Sequence, residues 1–149
     1  MFHVIDDQLM VASVLVQMIE AFGEEATFFV SAAEYLEYAK SPEYQNPIAV
    51  FTDVDMPIIN GYELIEKIRG VHPETKFVIV SGRPDFVHGG KKLACQYLCK
   101  PFNPYDIQEM IHTLKACSNS YPSPEFECEK ISDCSPYISD SWSCPHINE

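Results

Sequence analysis

Long apolar runs, basic side chains and closely spaced cysteine pairs are all scarce in this chain of 149 residues. No stretch of about 18 consecutive apolar residues exists, which excludes a membrane-spanning helix. The opening Met1-Phe2-His3-Val4-Ile5-Asp6-Asp7 has neither a basic region nor a signal-type apolar core, so a cytoplasmic location is expected. Lys and Arg total 10 against 22 Asp and Glu, for a net charge of −12. Nucleic acids and anionic membranes are gripped by cationic side chains, so neither is expected as a direct partner. A protein partner or a divalent cation suits this charge better. No internal repeat is visible, and Cys-x2-Cys is absent.

What is present divides into two compositions. Residues 1–118 alternate apolar strand patterns with amphipathic helix patterns. From Ser118 the text turns to Ser-Asn-Ser-Tyr-Pro-Ser-Pro-Glu, rich in turn formers. Residues 119–149 form an acidic tail with net charge −5, too short for a helix-turn-helix or a catalytic output domain.

Strands are expected at Phe2–Ile5, Ala26–Val30, Ile48–Thr52, Phe77–Val80 and Gln96–Cys99. Helical spacing of Leu9, Leu15, Met18, Ile19 and Phe22 predicts a first helix that closes at Gly23. Ser31 and Glu34 have the spacing of a capping box, opening a helix that ends before Pro42. Gly61 to Gly70 bounds a third helix. A short, weak helix is expected around Asp85–Leu93, interrupted by Gly89-Gly90. Asn103 caps the last helix with Pro104 in its first position, where the missing N–H costs nothing. Its apolar stripe is Ile107, Met110, Ile111 and Leu114. Strand and helix alternating at these lengths imply right-handed βαβ units. The expected fold is α/β, a five-stranded parallel open sheet with helices on both faces, plus an irregular C-terminal tail.

In open parallel sheets ligands bind beyond the carboxyl ends of the strands. Four of the five strands end there in reactive residues: Asp6-Asp7, Asp53, Ser81 and Lys100. Carboxylates brought together repel, and a hard cation with oxygen ligands such as Mg2+ relieves that repulsion. One carboxylate then serves as a nucleophile toward phosphorus, with a lysine and a hydroxyl to neutralise and orient the transferred group.

Taken together, Asp6-Asp7, Asp53-Val54-Asp55-Met56-Pro57 with Asn60-Gly61, Ser81-Gly82, and Lys100-Pro101-Phe102 resemble the receiver domain of two-component response regulators, a flavodoxin-like fold. The resemblance covers residues 1 to about 118. It implies phosphorelay signalling, with Asp53 as the phosphoacceptor and no turnover beyond the domain's own phosphorylation and dephosphorylation. It implies Mg2+ held by Asp7 most directly, by Asp6, by Asp53, and by the backbone carbonyl of Asp55. Lys100 is implied to contact the phosphoryl group, with the Lys100–Pro101 bond cis. Ser81 and Tyr97 are implied to be the switch pair. A histidine kinase or phosphotransfer protein would donate the group, and a downstream protein would read the switched surface. The interval from Ser81 to Lys100 is about one helical turn shorter than the family commonly has, so a standard dimer is not assumed; a monomer or weak homodimer is expected.

Other readings weigh against these. Asp6 and Asp7 also suit a helix N-cap pair, Ser81 a plain turn residue and Tyr97 plain core packing. Asp53-Val54-Asp55 has the Asp-x-Asp form of a small phosphatase nucleophile, although such motifs usually sit on a first strand. Cys95, Cys99 and Cys117 lie in apolar segments and read as small buried hydrophobes. Cys128, Cys134, Cys144 and His146 in the tail are residue types that bind Zn2+, at wide spacing. They leave open a metal or redox role, a phosphorylation-independent interaction module, or a flexible tail.

Overall fold

The computed structural model describes residues 1–82 and 94–120, with the side chains of 117–120 excepted. The helix expected around Asp85–Leu93, and the tail residues Cys128, Cys134, Cys144 and His146, lie outside the described residues. Five strands alternate with helices: β1 (Phe2–Ile5), α1 (Leu9–Ala21), β2 (Ala26–Phe29), α2 (Ala32–Ala39), β3 (Ala49–Asp53), α3 (Gly61–Val71), β4 (Phe77–Ser81), β5 (Gln96–Cys99) and α4 (Pro104–Ser120). The last helix thus runs to the stretch where the composition changes.

All strand pairs are parallel, in the order β2-β1-β3-β4-β5. The strand order reverses beside β1, so β1 and β3 diverge at the crevice where such sheets bind ligands. Both faces are covered, which is why β1 and β3 are buried at every position. Alternate side chains feed two cores. Ile5, Val50, Ile79 and Tyr97 meet Tyr35, Leu36, Leu64 and Ile68 of α2 and α3. Phe2, Val4, Phe51, Val78, Val80 and Leu98 meet Leu15, Ile19, Ile107, Met110 and Leu114 of α1 and α4. Each large apolar side chain buried in this way contributes about 1.5–3 kcal/mol.

Helix ends follow the local chemistry. Ser31 Oγ accepts from Glu34 N–H at 3.3 Å, Asn60 Oδ1 accepts from Glu63 N–H at 2.9 Å, and Asn103 Oδ1 accepts from Tyr105 N–H at 3.0 Å. Gly23 takes φ +85 just past α1, a conformation that glycine adopts without Cβ strain. α1 departs from the N-cap alternative for Asp6 and Asp7. Its cap position is Gln8, which makes no side-chain cap bond. Asp6 Oδ1 instead accepts from Gln8 N–H at 2.9 Å, fixing the loop.

Cys99 corrects the reading of Cys95, Cys99 and Cys117 as buried hydrophobes. Cys95 is buried and free, whereas Cys99 is half-buried and disulfide-bonded. Among the described residues no helix is long and apolar enough to cross a membrane.

Candidate functional site

The site is built at the rim where β1, β3 and β5 end. Apolar strand interiors stop there, and polar side chains follow on a rigid base. Asp6 and Asp7 follow β1, Asp53 is the last residue of β3, and Lys100 follows β5. One carboxylate oxygen from each of Asp6, Asp7 and Asp53 lies within 4.8 Å of the others. Lys100 Nζ sits 3.2 Å from Asp6 Oδ2 and 3.4 Å from Asp53 Oδ1, so one ammonium bridges two strands' acids. Asp6 and Asp53 are buried, while Asp7 is exposed.

Asp53 is held from several sides. Its Oδ1 accepts from Val54 N–H at 2.9 Å, and its carbonyl accepts from the Thr52 hydroxyl at 3.0 Å. Gly61 opens α3 directly against that carbonyl: a Cβ at this position would overlap the Asp53 oxygen. Gly61 N–H donates to Val54 O at 3.0 Å, so α3 is clamped to the end of β3. Burial, and then the charge of Asp6, push the Asp53 carboxyl up to about 6; Lys100 and the Val54 N–H hold it back. The Asp53 carboxyl therefore takes up a proton closer to neutrality than an ordinary aspartate does.

Three oxygen donors of like charge around one point match a hard divalent cation. Mg2+ fits this donor set, and Asp53 is the carboxylate whose charge such an ion would relieve. The backbone carbonyl of Asp55 belongs to the adjoining β3–α3 loop.

Ser81 ends β4 at the same rim, in register with Cys99, and its carbonyl accepts from Lys100 N–H at 3.0 Å. Tyr97 lies deeper. It is only 2% exposed, packs in the core shared with α2 and α3, and burial raises its phenol. The Lys100–Pro101 bond is cis.

Two features escaped the sequence. Ile58, in the β3–α3 loop, is 95% exposed and adopts φ 72, unusual for a β-branched residue. Away from the rim, His3 lies fully buried among Phe29, Tyr35, Tyr38 and Tyr44. A histidine inside an apolar strand was the available signal.

Comparison with known proteins agrees with this geometry. The family model of the response regulator receiver domain matches residues 2–112. The transcriptional regulatory protein CreB of Escherichia coli is 27% identical over 93% of this chain and 61% of its own length. The transcriptional regulatory protein YesN of Bacillus subtilis is 30% identical over 74% of this chain and 32% of its own. The DNA-binding transcriptional regulator NtrC of Azospirillum brasilense is 27% identical over 81% and 24%. The chain thus spans less than two-thirds of the length of these relatives. Among solved structures, a CheY-like receiver domain protein from Methanospirillum hungatei superposes with a TM-score of 0.67 at 27% identity, covering 79% of this chain and 95% of that one. A receiver domain from Clostridium thermocellum gives 0.71 at 24% identity, covering 79% and 95%.

Proposed function

Because the chain belongs to the response regulator receiver domain family, we propose that its rim receives a phosphoryl group on Asp53 and thereby switches a protein-binding surface. Receiver domains are parts of phosphorelay signalling rather than enzymes with a turned-over substrate. The observation that carries the reading is the Lys100 ammonium placed 3.2 Å from Asp6 and 3.4 Å from Asp53, beside the cluster of three carboxylates.

In this reading a carboxylate oxygen of Asp53 attacks the phosphorus, an O–P bond forms, and the donor's bond to phosphorus breaks. Ionised Asp53 is the reacting form. Lys100 faces the transferred oxygens and offsets their charge, and the Ser81 hydroxyl, at the same rim, is the hydrogen-bond donor that follows them. Asp6, Asp7, Asp53 and the Asp55 carbonyl would hold Mg2+, which when bound neutralises the crowded oxygens. The phosphorylated residue gains about −1.5 to −2 of charge. Ser81 and Tyr97, on neighbouring strands, are the pair through which that charge selects between two packings of the β4–β5 side.

Residues 1–118 are taken as the receiver unit and 119–149 as an appended tail. The donor is a histidine kinase or phosphotransfer protein. Several relatives are DNA-binding or transcriptional regulators; the net charge of −12 favours output from this chain by protein contact.

The test is intact-mass measurement after incubation with acetyl phosphate and Mg2+. The chain is expected to gain one phosphoryl mass and Asp53→Asn none. Equal labelling of Asp53→Asn would refute the assignment.

A further inference from the structure

The loop between β3 and α3 is wound from two three-residue turns. Met56 N–H donates to Val54 O at 3.1 Å, with Asp55 at the apex. Ile59 N–H donates to Pro57 O at 2.8 Å, with Ile58 at the apex. The second apex has φ 72, the sense of three-residue turn that is rare and strained. Ile58 is the only non-glycine residue with positive φ among the described residues. Branching at Cβ makes that conformation costly, by a factor of about 5 to 150 in an equilibrium.

Its own side chain repays none of this cost, because Ile58 is 95% exposed. The conformation is imposed by its neighbours. Met56 and Ile59 are partly buried against the core shared with α2 and α3. Gly61 N–H donates to Val54 O at 3.0 Å and closes the loop on the end of β3. Partial burial of two apolar side chains thus favours the observed shape by an amount comparable to the strain that opposes it. Only Met56 and Pro57 separate the two apices. Pro57 has a fixed φ, so a change of backbone at Ile58 is passed to Asp55 rather than absorbed between them.

We propose that Ile58 is a strain brake on the cation site. Its cost depopulates the loop shape that presents the Asp55 carbonyl, in favour of one in which Ile58 returns to negative φ. Mg2+ binding beside Asp6, Asp7 and Asp53 is weakened accordingly, since a ligand that needs one of two shapes binds in proportion to the fraction in that shape. By the same linkage the cation draws the loop into the strained shape, with the Ile58 side chain held outward next to the rim. Ile58 is a positioning residue, acting through the backbone of its loop. The inference rests on the proposed Mg2+ site.

The test is a calorimetric titration of Mg2+ into the full chain and three variants. Ile58→Gly and Ile58→Asn relieve the strain, because both residues visit the left-handed region readily. Ile58→Val keeps the branch and the strain. Mg2+ is expected to bind at least about fivefold more tightly to the glycine and asparagine variants, and as in the parent to the valine variant. Without Mg2+, hydrogen exchange of the Ile59 amide, followed by NMR, is expected to slow in Ile58→Asn, because its bond to Pro57 O is made for more of the time. Equal Mg2+ affinity in all four chains, with binding plainly measured, overturns the brake and leaves the cation site standing. Weaker binding to the glycine and asparagine variants also overturns it, because Ile58 would then hold the loop in shape rather than oppose it. Absence of Mg2+ binding in all four chains refutes the cation site, and the brake with it.

Discussion

Gly61 and Asp53 meet without room for a single methyl group: the first residue of α3 lies directly on the carbonyl oxygen of the residue that ends β3. The helix start thereby fixes the backbone from which the Asp53 carboxylate projects. Gly61→Ala forces the carbonyl or the helix to shift. The expected loss is about 1–3 kcal/mol, the usual cost of overpacking, read from urea unfolding. Phosphoryl uptake should slow as well, because Asp53 moves with its backbone. Unchanged stability would show that α3 yields freely.

Asp53 and Lys100 set the second expectation. With its carboxyl pushed up to about 6 by burial and by Asp6, Asp53 is expected to take up a phosphoryl group more slowly at pH 5 than at pH 8. In the absence of divalent ions the sign for stability is opposite. A carboxyl raised above its unfolded value favours folding below that value and loses the contribution as pH rises through 6. Asp53→Asn is therefore expected to be more stable than the parent by about 1–3 kcal/mol at pH 8, with the gain fading by pH 4. Chemical denaturation at both pH values checks it, and adding Mg2+ should shrink the difference.

Removing the shared ammonium tests the electrostatics from the other side. Lys100→Ala leaves the buried Asp6 and Asp53 carboxylates facing each other, so the Asp53 titration should move further upward in carbon-detected NMR. Phosphoryl uptake should fall about 100-fold or more, as when one preorganised charge donor is lost from a reacting centre. Uptake at the parent rate would remove Lys100 from the proposed site.

His3 gives a pH dependence of opposite sign, well away from the rim. Its Nδ1 lies 2.9 Å from the Tyr35 hydroxyl, and its buried Nε2 has no hydrogen-bond partner among the described residues. Burial, and then the N-terminal ammonium, hold the imidazole down at about 4. A histidine lowered in this way contributes stability that is complete above 6.5 and is lost as pH falls through 4. The parent should lose about 2–3 kcal/mol over that window, partly masked by the opposite trend of Asp53. An Asp53→Asn background removes that opposing trend, and His3→Phe should then flatten the loss on acidification. A His3 proton titrating near 6.5 by NMR would contradict the burial argument.

Much of this architecture was legible before any coordinates. Strand period, glycine and proline punctuation, and the Ser31 and Asn103 caps are local signals, decided within a few residues. The reactive residues followed from the same locality: in a parallel sheet the position after each strand must reach the carboxyl rim, so Asp6, Asp7, Asp53, Ser81 and Lys100 could be placed there from the text alone. Strand limits drifted by one residue, since Asp53 and Ser81 complete their strands rather than follow them.

Tertiary structure alone decided which of two adjacent acids is buried, with Asp6 inside and Asp7 exposed. It also decided the overlap of Gly61 with Asp53, the aromatic enclosure of His3, and the bonded state of Cys99. Asp6 meets Lys100 and His3 meets Tyr35, groups tens of residues away in the chain, and Gly61 meets Asp53 only because α3 packs back onto the end of β3. Burial, charge proximity and sulfur pairing are properties of assembled neighbours, and no local pattern carries them.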